Sequence, residues 1–163
     1  MNLGNHSITE QTVNLIKEIL SKGKTILELG SGYGTHILSR HYKIYSVEHN
    51  LSWVGKYDST YFWCPLINHN KPDSEQWYGI DDIMDQLPTN YDLLLVDGPP
   101  RDVRRANFIN HLHKFNKNAI WVFDDLQREH DLKTYKKVCK IRNLEEDIRD
   151  CGQKLVGICK AKD

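Results

Sequence analysis

The chain lacks an excess of charge of either sign. Its 163 residues carry 22 lysines and arginines against 22 aspartates and glutamates, giving no net charge with histidine neutral. No global field draws such a chain to DNA, RNA or an anionic membrane, so nucleic acid is not expected as a partner and any basic attraction must be local. Long apolar runs are missing too. None approaches the ~20 residues needed to cross a bilayer, and hydrophobic residues make up only 39% of the chain. Cysteine is sparse and unpatterned: Cys64, Cys139, Cys151 and Cys159 form no Cys-x-x-Cys and stand at no zinc spacing from histidine. Reduced thiols are expected rather than a disulfide frame. Met1 to Ser7 has neither the basic start nor the apolar stretch of a signal peptide. Repeats, low-complexity tracts and linkers are absent. These absences predict a soluble, cytoplasmic, single-domain protein over residues 1–163, with an N-terminal helix at about 8–22 and a core at about 24–160.

Short apolar runs alternate with helical periodicity, the order of a doubly wound parallel sheet. Ser7 and Glu10 have capping-box spacing before Val13, Ile16, Ile19 and Leu20. Strands are predicted at Thr25–Leu29, Ile44–Glu48, Thr60–Cys64, Tyr91–Asp97 and Ala119–Phe123. Helices are predicted to about Arg40 and over Ile80–Leu87, Asp102–Phe115 and Gln127–Cys139. Leu144–Asp150 and Leu155–Cys159, joined at Gly152 and Gln153, read as an antiparallel hairpin, with helix as the alternative for the first. Ligands of open α/β sheets bind outside the carboxyl ends of the strands. Glu28, Glu48, Asp97 and the Asp124–Asp125 pair all fall there, which predicts an active-site rim.

Glu28-Leu29-Gly30-Ser31-Gly32-Tyr33-Gly34-Thr35 lies between the first strand and a helix. Glycine suits a tight turn that a ligand approaches closely, and the helix start suits an anionic group. Glu48 closes the next strand about eighteen residues on, where a carboxylate can accept from ribose hydroxyls. A dinucleotide fingerprint would need its third glycine at Thr35, so that pattern fails. The Gly-x-Gly-x-Gly run with an acid two residues ahead resembles instead the first motif of class I S-adenosylmethionine-dependent methyltransferases. Ser46-Val47-Glu48-His49 with Trp53, Trp77-Tyr78, Val96-Asp97-Gly98-Pro99-Pro100-Arg101 and Phe123-Asp124-Asp125 are similar to later motifs of a small branch of that superfamily.

The resemblance implies an α/β, Rossmann-like fold with a seven-stranded sheet of order 3-2-1-4-5-7-6, the last strand antiparallel and helices on both faces. It implies S-adenosylmethionine held by Glu28, Gly30, Ser31, Gly32, Tyr33, Gly34, Thr35, Glu48, His49 and Asp97. Cys64-Pro65-Leu66 departs from the acid and small residue with which many relatives contact adenine. Asp97, Asp124 and Asp125 are the candidate catalytic residues. As in catechol-type O-methyltransferases, they are also candidate ligands for Mg or Mn, since hard divalent cations prefer oxygen. The alternatives are that Asp124 caps the following helix with Gln127 and that Asp97 only positions the cofactor. Arg101, with Trp77 and Tyr78, is a candidate substrate contact; Arg101, Arg104 and Arg105 otherwise read as a solvated helix face.

The function expected is methyl transfer to a hydroxyl of a small molecule or sugar, with a divalent cation as a candidate aid. A nucleic-acid methyltransferase is the second hypothesis: its Pro-Pro-aromatic motif would be interrupted here by Gly98 and would end in Arg101. A non-catalytic S-adenosylmethionine-binding protein is the third. The chain offers no sizeable lid, so either the cleft is open or a second subunit covers it, as in a homodimer.

Overall fold

A computed structural model describes residues 7–68 and 76–162. Its elements are α1 (Glu10–Ile19), β1 (Thr25–Leu29), α2 (Tyr33–Leu38), β2 (Lys43–Glu48), β3 (Thr60–Trp63), β4 (Leu66–Asn68), β5 (Gln76–Tyr78), β6 (Leu93–Val96), β7 (Ile120–Phe123), α3 (Glu129–Arg142), β8 (Leu144–Asp150) and β9 (Leu155–Ala161). Two 3₁₀ helices, Ile80–Gln86 and Ala106–Lys114, flank β6. The large sheet runs β3-β2-β1-β6-β7-β9-β8; β9 is antiparallel to both its neighbours, whereas β3, β2, β1, β6 and β7 pair in parallel. Counted within that sheet alone, the order is 3-2-1-4-5-7-6, as expected. A separate hairpin of β4 and β5 was not anticipated.

β1, β6 and β7 are buried on both faces because helical layers cover both, and their sequences are correspondingly continuous apolar runs. Alternate side chains enter opposite cores. Ile26, Ile44, Leu93, Leu95 and Val122 meet Val13 and Ile16 of α1 and Leu38 of α2. Leu27, Val47, Leu94, Val96, Trp121 and Phe123 meet Trp77, Phe108, Phe115, and Tyr135 and Val138 of α3. All four cysteines are buried and free. No helix among the described residues is long and apolar enough to cross a membrane.

Three expectations need correction. The cap of α1 is Thr9, whose Oγ1 accepts from Thr12 N at 3.1 Å; Ser7 Oγ instead accepts from Gly34 N at 2.9 Å, at the start of α2. Neither segment flanking β6 is α-helical, and the second starts at Ala106 rather than Asp102. A turn over residues 101–103 leads to Arg104 at φ 64°, and the Arg105 side chain is buried, so Arg105 is no part of a solvated helix face. Finally, α3 begins at Glu129 behind an Arg128 N-cap, so Asp124 is not its cap.

Candidate functional site

The strand order reverses between β1 and β6, and there the loops after the two strands nearly touch. Gly30 sits at φ +87°, and a Cβ on it would lie 3.1 Å from Gly98 N, closer than side-chain carbons normally approach backbone. The crevice at this switch point is where open α/β sheets bind ligands. It is a cleft of about 340 Å³ whose walls include Gly30, Ser31, Glu48, His49, Tyr78 and Asp97.

Beneath the glycine loop lies Glu28, 2% exposed. Its Oε1 accepts from Thr35 Oγ1 at 2.7 Å and from Ser46 Oγ at 2.5 Å, while Thr35 Oγ1 accepts from Gly32 N at 3.0 Å. Burial raises its pKa to about 7 despite those two donors. Glu28 and Thr35, with Gly32 and Gly34, therefore fasten the loop from behind and are not among the cleft-lining residues. Tyr33 packs against His36 and Tyr57, also off the cleft wall.

Glu48 closes the other side of the loop. Its two oxygens accept from Ser31 N and Asn50 N, each at 2.8 Å, and His49 Nδ1 lies 3.1 Å from Oε1. Burial raises the pKa of Glu48, but His49 and the two amides outweigh it and hold the carboxylate below its ordinary value. Ser31 Oγ is buried and has no hydrogen-bond partner among the described residues. A buried polar atom of this kind calls for a ligand or water.

At the ends of β6 and β7, oxygens of Asp97, Asp124 and Asp125 lie within 4.8 Å of one another. Cations already hold them. Lys154, in the β8–β9 turn, bonds Asp124 Oδ2 and reaches Asp125 Oδ1 at 3.0 Å. Arg105, 4% exposed, donates to Asp125 Oδ2 at 3.1 Å and to the carbonyls of Pro99, Asp124 and Asp97 at 3.2, 2.8 and 2.9 Å. Its Nη2 also stands 3.6 Å from Asp97 Oδ1, and Arg128 Nη1 pairs with Asp125 Oδ2 at 3.1 Å. Burial and the neighbouring Asp124 push Asp97 well above the usual carboxylate range. Burial also raises Asp125, but Arg105, Lys154 and Arg128 more than offset it and bring Asp125 below that range. As a donor set for Mg or Mn the three carboxylates fit poorly, because both oxygens of Asp125 and Oδ2 of Asp124 are committed to these cations.

Of the residues expected to face an acceptor, Tyr78 and Arg101 line the cleft. Trp77 does not. It is fully buried, stacked on His111 with ring centroids 4.6 Å apart. Trp53 lines the cleft as well. Lys154, Arg105 and Arg128 were missed as site residues. Lys154 is 30 residues from Asp124 and carries no local signal; the sequence groups Arg105 with Arg101 and Arg104 as a solvated helix face.

No protein-family model matches the chain, and no curated protein matches it in sequence. Solved structures do resemble it. A precorrin-6y C5,15-methyltransferase from Geobacter metallireducens superimposes with a TM-score of 0.60 at 14% identity, covering 98% of this chain and 92% of that one. Cofactor-bound Rv0187 from MTB gives 0.65 at 10% identity, over 99% and 85%. A ribosomal protein L11 methylase from Lactobacillus delbrueckii subsp. bulgaricus gives 0.60 at 13%, over 98% and 81%. The likeness is one of fold: the chain has the Rossmann-like architecture of these three proteins.

Proposed function

We propose that the chain is a single-domain S-adenosylmethionine-dependent methyltransferase that acts on a hydroxyl of a small molecule or sugar. The observation that carries this reading is the cleft itself: Gly30 and Ser31 of the glycine loop, Glu48 and Asp97 come from three strand ends and line one crevice at the switch point. The residues present suit the cofactor. Ser31 Oγ is buried and unpaired among the described residues, and Glu48 presents a carboxylate that two amides hold ionised. Gly30, Ser31, Glu48, His49 and Asp97 would hold it, while Glu28, Gly32, Tyr33, Gly34 and Thr35 would act indirectly, by shaping the loop. When bound, it supplies a methyl group already activated on a sulfonium.

The chain's own residues then have little covalent work. They must align an acceptor oxygen and exclude water. Asp97 is 14% exposed at the cleft, and its raised proton affinity suits it to take the proton that a hydroxyl gives up. Asp124 and Asp125 act through the charge network rather than on the acceptor. Tyr78 and Arg101 are the candidate acceptor contacts, with Trp53 added to them. Arg101 is exposed at the rim, where a second subunit of a homodimer would also meet the cleft.

Calorimetric titration with S-adenosylmethionine tests the reading. Micromolar binding is expected, weakened at least about tenfold, equivalent to about 1.4 kcal/mol, by Glu48→Ala. Production of S-adenosylhomocysteine from a pool of hydroxyl compounds should follow. No binding by the wild-type chain would overturn the proposal.

A further inference from the structure

The carboxylates at the ends of β6 and β7 have the spacing of a metal centre and the surroundings of something else. Three negative side chains, Asp97, Asp124 and Asp125, stand among three positive ones, Arg105, Arg128 and Lys154. Arg128 is shared with the buried Asp131 at 3.7 Å, so four carboxylates face three cations and most of the negative charge is offset without any ion. A divalent cation would add two positive charges to a buried site that already contains three, and the cost of uncompensated buried charge is high.

The ligand count points the same way. A hard divalent cation seeks six or more oxygens. Lys154 and Gln127 engage Asp125 Oδ1, Arg105 and Arg128 engage Asp125 Oδ2, and Lys154 engages Asp124 Oδ2. Asp124 Oδ1 has no hydrogen-bond partner among the described residues, but the residue is fully buried. Lys154 is equally committed: besides the two carboxylates, its Nζ donates to Ser7 O at 3.1 Å, which accounts for all three of its N–H groups.

We propose that Lys154 and Arg105 occupy, as built-in cations, the place a divalent ion would take among Asp97, Asp124 and Asp125, so that this site works without a metal. Lys154 is then a positioning residue. It fixes Asp124 and Asp125 from the β8–β9 turn and leaves Asp97, the most exposed of the three, to face the cleft. This inference deepens the proposed function but rests on charge arrangement, so it can fail separately.

The test is Mn²⁺ binding, followed by electron paramagnetic resonance of the free ion, on the wild-type chain and on Lys154→Gln. Wild type is expected to take up no Mn²⁺ at concentrations to about 1 mM, whereas Lys154→Gln, with Asp124 Oδ2 released and one positive charge removed, should bind at least about tenfold more tightly. Should Lys154→Gln fold poorly, wild type alone decides: its melting midpoint should be the same with Mn²⁺ and with EDTA, since a ligand that does not bind the native state cannot stabilise it. Wild-type binding abolished by Asp125→Asn, or an upward shift in Mn²⁺ removed by Asp124→Asn, would overturn the proposal. So would a folded Lys154→Gln with no gain. S-adenosylmethionine titration of the same samples keeps this outcome apart from that of the methyltransferase reading, because cofactor binding does not depend on how the Mn²⁺ experiment falls.

Discussion

Glu28 shows how a residue in a ligand-binding motif can act without facing the ligand. Its carboxyl is sealed under the glycine loop, where Ser46 and Thr35 both donate to the same oxygen. The folded carboxyl keeps its proton to about pH 7, while in the unfolded chain it loses it near the ordinary 4.5. Between those values the folded state binds more protons, so stability falls as pH rises from about 4.5 to 7 and is level above. The full loss is about 3 kcal/mol. Glu28→Gln reproduces the protonated form and keeps Oε1 as acceptor. It should flatten this part of the stability–pH profile and stabilise the protein at pH 8 by about 2 kcal/mol. Urea denaturation at pH 4.5, 6 and 8 measures it. An unchanged slope in the variant would place the titrating group elsewhere.

Strand ends are where the sequence was most and least informative. β6 and β7 declare themselves as apolar runs closed by acids, and the order of the sheet follows from the resemblance that the motifs carry. Trp77 turned into the core while Trp53 came to line the cleft, because aromatic composition does not say which face of a short element meets solvent. The two 3₁₀ segments were read as α-helix because their apolar spacing is shared by both forms. The cations of the site were hidden for a different reason. Lys154 and Arg105 come from turns, and only the assembled sheet brings them to Asp124 and Asp125. Arg105 ties the ends of β6 and β7 together through the carbonyls of Asp97 and Asp124. Lysine has neither the fork nor the number of donors to replace it. Arg105→Lys keeps the charge but leaves buried carbonyls unpaired, and should therefore cost about 1–3 kcal/mol. Chemical denaturation reads this directly, and a loss below about 1 kcal/mol would mean that water replaces the guanidinium without penalty.

The cleft depends on segments far apart in the chain. Ser7 accepts from Gly34 N through its hydroxyl and from Lys154 through its carbonyl, and Thr9 Oγ1 donates to Cys151 O at 3.2 Å. Ile8, 2% exposed, packs so closely on Gly34 that an added Cβ there would fall 2.4 Å from its Cγ1. The glycine loop, the segment before α1 and the turn before β9 are thus fastened as one unit. Ser7→Ala removes only the hydroxyl and leaves the buried Gly34 amide without its acceptor, which costs about 1–3 kcal/mol. For a chain of this size that is a fall of about 2–10 °C in melting temperature. Ser7→Thr keeps the hydroxyl and should lie closer to wild type. Amide hydrogen exchange separates this account from a general loosening: Gly34 should lose protection in Ser7→Ala more than the amides of β6 do. If Gly34 stayed protected while the melting temperature fell, its amide would have another acceptor, and the tie between Ser7 and the glycine loop would not be what holds the cleft in shape.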